Sequence, residues 1–233
     1  MTVNEIMADL RANGSDSIKN ILLKHGVKEP FFGVKVEHLK IIQKKVKKDY
    51  QLAKDLYATG NADAQYLAGL IADDQQMTKA DLQTWAKEAL SDNISGNTVP
   101  WVAAEGKYGY ELAMEWIENT EEYIATAGWA TLGCLVALKP DNELDILKAL
   151  LSLIEKTIHN SPNRVRATMN NFIIAVGSYV SPLSEAAIAT AKNIGPITVI
   201  KEGTACKTPD AVEYIEKAKA RGSLSKKKKT VKC

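Results

Sequence analysis

Apolar residues recur at helical spacing along nearly the whole of this chain, and strict apolar–polar alternation is almost absent. Residues three or four apart lie on one side of a helix, so such a spacing gives each segment one apolar face. Three clear stripes are Val36, Leu39, Ile42 and Val46; Leu144, Leu147, Leu151, Ile154 and Ile158; and Val165, Met169, Phe172 and Val176. The sequence therefore predicts an all-α protein.

The limits of several helices are also marked. A hydroxyl side chain favours the N-cap and proline favours the first helical position. Three such pairs predict helix starts, namely Ser161-Pro162, Ser181-Pro182 and Thr208-Pro209. Thr78 and Thr120 precede two further apolar patterns, while Gly195 and Gly222 follow two others and predict helix ends. Pro140 predicts a break, and only residues 197–200 look extended.

The predicted segments mostly run 10 to 17 residues with brief connections, which suits antiparallel helix pairs stacked in series. No fixed-period repeat of residue identities is visible. Degenerate HEAT-type repeats keep only the apolar pattern, so both a solenoid and a globular bundle stay open at this point. A solenoid would offer one extended concave face to a long ligand.

The net charge of +2 hides an uneven distribution. Residues 217–233 contain eight basic residues and no acid, which leaves the other 216 residues with a net charge of −6. Residues 35–54 carry seven lysines against two acids, whereas residues 105–122 carry six glutamates against Lys107. Such separation allows a polyanion to bind one face. The lysine run at 226–229 is equally consistent with a solvated tail.

Conventional catalytic and metal-binding signatures are missing. The sequence has no Walker loop, GxGxxG, HExxH or GxSxG motif, and its three cysteines form no CxxC or Cys/His cluster, so we predict no metal and no cofactor. Cys206, which precedes a predicted helix start and lies beside Lys207, is either an activated thiol or an inert packed one. No signal peptide or membrane-spanning run is visible, and a reducing cytoplasm is the simplest location.

Several short motifs, in order, resemble the AlkD-like DNA alkylation repair family. They are Phe32-Gly33-Val34, Leu39-Lys40-Ile41-Ile42, the segment 56–64 (LYATGNADA) and Leu70-Ile71-Ala72-Asp73-Asp74. The similarity continues more loosely through Val165-Arg166-Ala167 to the C-terminus. The resemblance implies a HEAT-like or ARM-type helical repeat superhelix that wraps duplex DNA on a concave basic face. We accordingly predict one repeat domain over residues 1–222 and a basic tail over residues 223–233.

Active members of this family hydrolyse the N-glycosidic bond of N-alkylated purines without a metal, using a carboxylate, two aromatic rings and an arginine. Trp101 and Glu105 keep the family's four-residue spacing, with glutamate in place of aspartate. A cationic purine and an oxocarbenium-like sugar both favour a nearby anion and π-faces. No basic residue occupies 124–129, where the family has its arginine, and Asn170 stands where its second tryptophan is expected.

DNA contacts are predicted from the placement of cationic side chains. Lys40, Lys44 and Lys47 follow one side of a helix that Lys35 precedes. Arg164 and Arg166 stand in the first turn of another helix, where backbone N–H groups favour phosphate. The full predicted DNA-binding set is Lys35, Lys40, Lys44, Lys47, Arg164, Arg166 and Asn170. Neutralising several phosphates gives salt-dependent, sequence-independent binding, to which the run at 226–229 would add.

Three functions follow as alternatives. The first is a DNA repair protein that binds duplex DNA and, through Glu105 and Trp101, removes alkylated purines. The second is a non-catalytic HEAT-repeat protein that recognises bent, branched or damaged DNA by shape and charge. The third is a protein-binding helical scaffold that uses the acidic region 105–122. The expected partner is double-stranded DNA, with no membrane and no obligate protein partner.

Overall fold

A computed structural model of the chain describes residues 1–139, 144–200 and 207–233. The prediction of an all-α protein is confirmed: within these ranges the chain forms thirteen α-helices, and pairing between extended segments is limited to one bridge between Gly14 and Val34. The helices are Val3–Ala12 (α1), Asp16–Lys24 (α2), Val36–Val46 (α3), Tyr50–Tyr57 (α4), Ala62–Ile71 (α5), Lys79–Glu88 (α6), Val99–Glu105 (α7), Gly109–Ile117 (α8), Glu122–Leu138 (α9), Leu144–Thr157 (α10), Asn163–Tyr179 (α11), Ser184–Ile194 (α12) and Ala211–Ala220 (α13).

Neighbouring helices pack in series around two hydrophobic cores. Helix α4 packs on α5, α8 on α9, and α11 on α12. One core gathers apolar side chains from α1 to the start of α9, and the other runs from α8 to α13. The long helix α9 contributes to both cores and packs extensively against α7, α8 and α11. The middle of the chain therefore joins the two halves.

The predicted apolar stripes face these cores. In α11, Phe172 and Val176 are fully buried, and the ring of Phe172 meets Trp129 of α9 edge-on with 5.5 Å between ring centroids. Ile154 of α10 is fully buried, and Ile42 of α3 likewise. The helical spacing of apolar residues thus identified most of each buried face, because each face is fixed by local geometry. Val36, the first residue of the α3 stripe, is exposed instead.

The three hydroxyl–proline pairs were wrong as helix starts by one or two residues, and the hydroxyls of Ser161 and Thr208 have other partners. The Ser161 hydroxyl donates to the Thr157 carbonyl at 3.0 Å, and α11 begins after Pro162. Ser181-Pro182 forms a short 3-10 turn ahead of α12. The Thr208 hydroxyl accepts the Val199 N–H, and Asp210 instead caps α13.

Other boundary signals performed better. Thr78 is the N-cap of α6 and forms a capping box with Asp81, as its sequence predicts. Helix α9 begins one residue later than Thr120 predicts, with Glu121 at its N-cap. Gly195 ends α12 with a φ of 70°, which glycine adopts without strain. The predicted break at Pro140 lies outside the described residues, and residues 197–200 form no regular secondary structure.

Among the described residues, no helix alone has the length and apolar character to cross a membrane. One pair, bent by 119° between Asn163–Tyr179 and Ser181–Ile194, meets that test by length and composition only.

Candidate nucleic-acid interface

The second half of the molecule contains a groove with a volume of about 360 Å³, here called the central groove. Its floor is made by α9 and α11, and α7, α13 and the C-terminal segment contribute to its sides. The residues of α9 that line the groove lie about one helical turn apart. They are small, so they leave the space above α9 open. These floor residues are Ala130, Gly133 and Ala137 of α9 with Thr168, Asn171 and Ala175 of α11.

Trp101 and Glu105 lie one turn apart on α7, as their spacing predicts. The Trp101 ring is 8% exposed, lines the central groove, and meets Tyr66 of α5 edge-on at 5.3 Å. Glu105 is half-buried at the end of α7. Its carboxylate accepts hydrogen bonds from the Val231 N–H at 2.8 Å and from the Thr230 hydroxyl. Of the predicted pair, Trp101 therefore lines the central groove, and the Glu105 carboxylate already has two donors from the C-terminal segment.

The rest of the family's catalytic set is not assembled here. Residues 124–129 are buried in α9 and include no cation. Asn170 is 1% exposed and donates from Nδ2 to the Pro209 carbonyl at 2.9 Å, so it fixes the segment before α13. A second indole, Trp129, does line the central groove, but it is 1% exposed and packs against Phe172.

Arg166 is engaged by main-chain carbonyls. Its guanidinium donates four hydrogen bonds, at distances between 2.8 and 3.3 Å, and the acceptors are the carbonyls of Ile158, His159, Ser161 and Thr198. This fork ties the start of α11 to the turn before it and to the segment after α12. A planar guanidinium is suited to such a role because its donors have fixed directions.

Arg164 is engaged as well. Its guanidinium forms an ion pair with Asp92 and lies 4.9 Å from the centre of the Tyr123 ring. Burial lowers the pKa of Arg164. The Arg164 backbone N–H, one of the donors predicted to face phosphate, donates to the Glu122 carboxylate at 2.8 Å. Both predicted arginines thus have internal partners at the start of α11.

Lys40 and Lys44 of α3, with Lys35 at its N-cap and Lys47 at its C-cap, are here called the α3 lysines and are in a different situation. Lys35, Lys44 and Lys47 are exposed and Lys40 is half-buried. The helix below them is held by Leu39 and Ile42, which are buried against the first core. These four lysines have no hydrogen bond or ion pair from their side chains in the ranges that the structure describes.

Asp63 fixes the backbone that leads into α3. Its carboxylate accepts the N–H groups of Phe32, Gly33 and Val34 at 2.6 to 3.2 Å. Burial raises the pKa of Asp63, and the three backbone donors act in the opposite direction. Gly33 has a φ of 79° and approaches α2 closely, which explains the glycine in this motif. The motif that carries the family resemblance is thus a structural support for the lysine-bearing helix.

Residues 223–233, here called the strap, cross the central groove. The Ser225 N–H donates to the Ser178 carbonyl, and the Lys228 N–H donates to the Ala137 carbonyl at 2.8 Å. The strap then reaches Glu105 through Thr230 and Val231.

Beyond this point the strap meets a second acid. Lys232 pairs with Asp74 at 2.6 Å, and only 9% of the Lys232 side chain and 2% of the Asp74 side chain are exposed. Lys48, which follows α3, approaches the other oxygen of Asp74 at 3.2 Å. The strap therefore ends beside the C-terminal end of α3, so the two lysine-rich segments of the sequence are neighbours.

Sequence reasoning did not find this arrangement. Glu105 and Val231 are 126 positions apart, and Asp74 and Lys232 are 158 positions apart, so no local pattern joins them. Cys206 lies outside the described residues. Among the described residues, no three His, Cys, Asp or Glu side chains are grouped as a metal site.

Comparison with known proteins now identifies the family. The model of the family described as "DNA alkylation repair enzyme" matches residues 6–215. The chain belongs to this family. It is 31% identical to the uncharacterized protein Lin0241 of Listeria innocua, and the match covers 95% of this chain and 99% of that one. The uncharacterized protein Lmo0209 of Listeria monocytogenes is 30% identical over the same shares.

A solved structure is also similar to this chain. It is described as a new family of proteins related to the HEAT-like repeat DNA glycosylases with affinity for branched DNA structures. It superposes with a TM-score of 0.92, is 35% identical, and matches all of both chains. The predicted HEAT-like repeat fold is thereby confirmed, and so is the family resemblance.

Proposed function

We propose that this member of the family binds branched double-stranded DNA and does not remove alkylated bases. The observation that carries the proposal is the state of Glu105, whose carboxylate accepts two hydrogen bonds from the strap. A catalytic carboxylate must face the sugar or base whose positive charge it stabilises. Glu105 instead anchors the chain's own backbone.

The remaining residues support the same conclusion. No arginine is present at 124–129, and Asn170 in place of the second tryptophan binds a main-chain carbonyl. Glutamate is one methylene longer than the family's aspartate. A misplacement near 1 Å costs on the order of 100-fold in rate. The loss of these groups together removes most of the chemistry that the family resemblance implies.

Affinity for DNA has separate support. Three of the four α3 lysines are exposed and Lys40 is half-buried, and none of them pairs with another of the described residues; three more exposed lysines lie on the strap, namely Lys226, Lys228 and Lys229. Cations on neighbouring segments suit a branch point, where phosphates of more than one helix come close together. The protein with the similar solved structure is described as having affinity for branched DNA. A cytoplasmic location fits a DNA-binding protein with three scattered cysteines.

A binding experiment tests the first half of the proposal. We expect a fluorescently labelled four-way junction to bind more tightly than a linear duplex of the same length and base composition, over a series of salt concentrations. Affinity should fall steeply as salt rises, because cations on phosphate are released. Equal affinity for the junction and the duplex at every salt concentration would contradict branch recognition.

A base-release experiment tests the second half. We expect no methylated purine to be released from alkylated duplex DNA under conditions in which the protein is fully bound. If the protein does release purine and Glu105→Gln abolishes the release, the alternative of a working glycosylase is correct. Glu118→Gln is the matched control, since Glu118 is an exposed acid at the end of α8.

A further inference from the structure

We propose that Asp74 and Glu105 form a receptor that fixes the strap across the central groove, so that its exposed lysines become an ordered part of the DNA-binding surface. The DNA half of this inference rests on the proposed function, whereas the receptor half stands independently. In this view the position that carries the family's catalytic carboxylate has become an intramolecular anchor.

The two acids hold the strap in complementary ways. Glu105 accepts a main-chain donor, the Val231 N–H, together with the Thr230 hydroxyl, so it fixes the backbone of the strap. Asp74 is almost fully buried and pairs with the ammonium group of Lys232, which also donates to the Ala72 carbonyl at 3.3 Å. A buried carboxylate needs such a partner, because an unpaired buried charge is strongly unfavourable.

Apolar contacts and a second set of backbone bonds complete the attachment. The Val231 side chain packs against the first hydrophobic core and lines the groove beside Trp101. Cys233 contacts the Tyr66 hydroxyl, and burial together with this contact raises the pKa of Tyr66. At the other end, the Ser181 N–H donates to the Ser225 hydroxyl at 2.9 Å. The strap is therefore attached along its length.

The strap also changes the charge of the groove. Glu105 and Asp74 carry negative charges that would repel nearby phosphate, and the strap supplies donors to both. The strap runs from Ser178 of α11 past Ala137 of α9 to Glu105, and the side chains of Lys226, Lys228 and Lys229 along it are exposed. Lys227 is used differently, since its ammonium group donates to the Val136 carbonyl. DNA that approaches the groove thus meets lysines rather than the Trp101–Glu105 pair.

Trypsin cleavage of the full-length protein tests the receptor without DNA. Trypsin cuts after lysine but needs a detached, extended backbone, so cleavage within 226–229 reports opening of the strap. We expect Glu105→Ala and Asp74→Ala each to speed this cleavage on the order of tenfold relative to the wild type, because hydrogen bonds to a charged group are lost. Glu118→Ala is the matched control and should cleave at the wild-type rate.

The reference for an unattached strap is a synthetic peptide of residues 223–233, cleaved under the same conditions. Wild-type cleavage as fast as that of the peptide, with no change in Glu105→Ala, would overturn the receptor. Neither alanine variant removes a side chain of the two hydrophobic cores, and circular dichroism checks that both remain folded.

DNA binding by full-length variants tests whether the strap lysines are part of the DNA-binding surface. Changing Lys226, Lys228 and Lys229 to glutamine should lower affinity for the junction and reduce the slope of log affinity against log salt by up to about three. Glu105→Ala keeps every lysine but releases the strap, so we expect a smaller loss, about three- to tenfold. Tighter binding by Glu105→Ala would overturn the inference, because the strap would then be blocking the groove.

The two proposals fail in different ways. A protease-resistant strap in a protein that binds no DNA would contradict the proposed function and leave the receptor intact. A freely cleaved strap in a protein that binds junctions tightly would contradict the receptor and leave the proposed function intact.

Discussion

The cations of α3 and those of α11 look equivalent in the sequence, but the fold gives them opposite surroundings. The α3 lysines have no partner in the part of the chain that the structure describes, whereas Arg166 donates to four carbonyls and Arg164 pairs with Asp92 over Tyr123. Positive charge near a helix start is therefore weak support for phosphate binding. What matters is whether the donors are already used inside the protein.

The largest effect is expected for Arg166. Arg166→Ala should lower the free energy of unfolding by about 3 kcal/mol, because carbonyls near the start of α11 lose charged donors. For a chain of this length the corresponding fall in melting temperature is about 6–12 °C. Calorimetry or thermal circular dichroism measures it.

Arg166→Lys is the matched control for this prediction, since it keeps the charge but lacks the planar fork. We expect Arg166→Lys to lower the free energy of unfolding by most of the amount that Arg166→Ala does. A variant Arg166→Ala that melts like the wild type yet binds DNA poorly would reverse the comparison and make Arg166 a phosphate contact.

The α3 lysines should show the opposite behaviour. Changing Lys40, Lys44 and Lys47 together to glutamine should weaken DNA binding about 10- to 100-fold at low salt and lower the salt slope by up to about three. The melting temperature should stay within about 2 °C of the wild type, because exposed unpaired lysines contribute little to stability. Titrations at several salt concentrations measure the affinity and the slope.

The control for this variant removes the same charge elsewhere, by changing Lys148, Lys156 and Lys192 to glutamine on α10 and α12. We expect this protein to keep nearly all of its affinity. Equal losses in the two triple variants would mean that net charge rather than the α3 surface attracts the DNA.

The smallest effect is expected for Arg164. Arg164→Lys replaces the guanidinium that pairs with Asp92 and lies over the Tyr123 ring, and should lower the free energy of unfolding by about 1 kcal/mol. A double-mutant cycle with Asp92→Asn separates the ion pair from the stacking. A coupling energy near zero would show that the Tyr123 contact alone holds Arg164 in place.

Much of the fold was predictable because its signals are local. The stripes of α3, α10 and α11 identify buried faces from spacings of three and four, and Thr78 identifies the start of α6. The hydroxyl–proline pairs predicted the wrong helix starts because of contacts made outside those helices. Ser161 and Thr208 satisfy partners outside the helix they precede, and Asp210 takes over as the cap of α13.

The candidate site was predictable only in part. The spacing of Trp101 and Glu105 places both on one side of α7, and short motifs elsewhere, mainly within residues 32–74, indicated the family that the comparison shows. Nothing local indicates that Thr230 and Val231 bind Glu105, or that Asn170 binds the Pro209 carbonyl. Such partners are selected when distant helices pack, so the availability of a side chain is a property of the whole fold.

The all-α class, the buried helix faces and the family could be predicted from the amino-acid order alone, since helical periodicity and short motifs act over one or two turns of chain. Which cations remain available and what Glu105 contacts depend on how distant helices pack. A hydrogen-bonding group takes the donor or acceptor that packing brings within about 3 Å. For Glu105 that donor comes from 126 positions away in the chain.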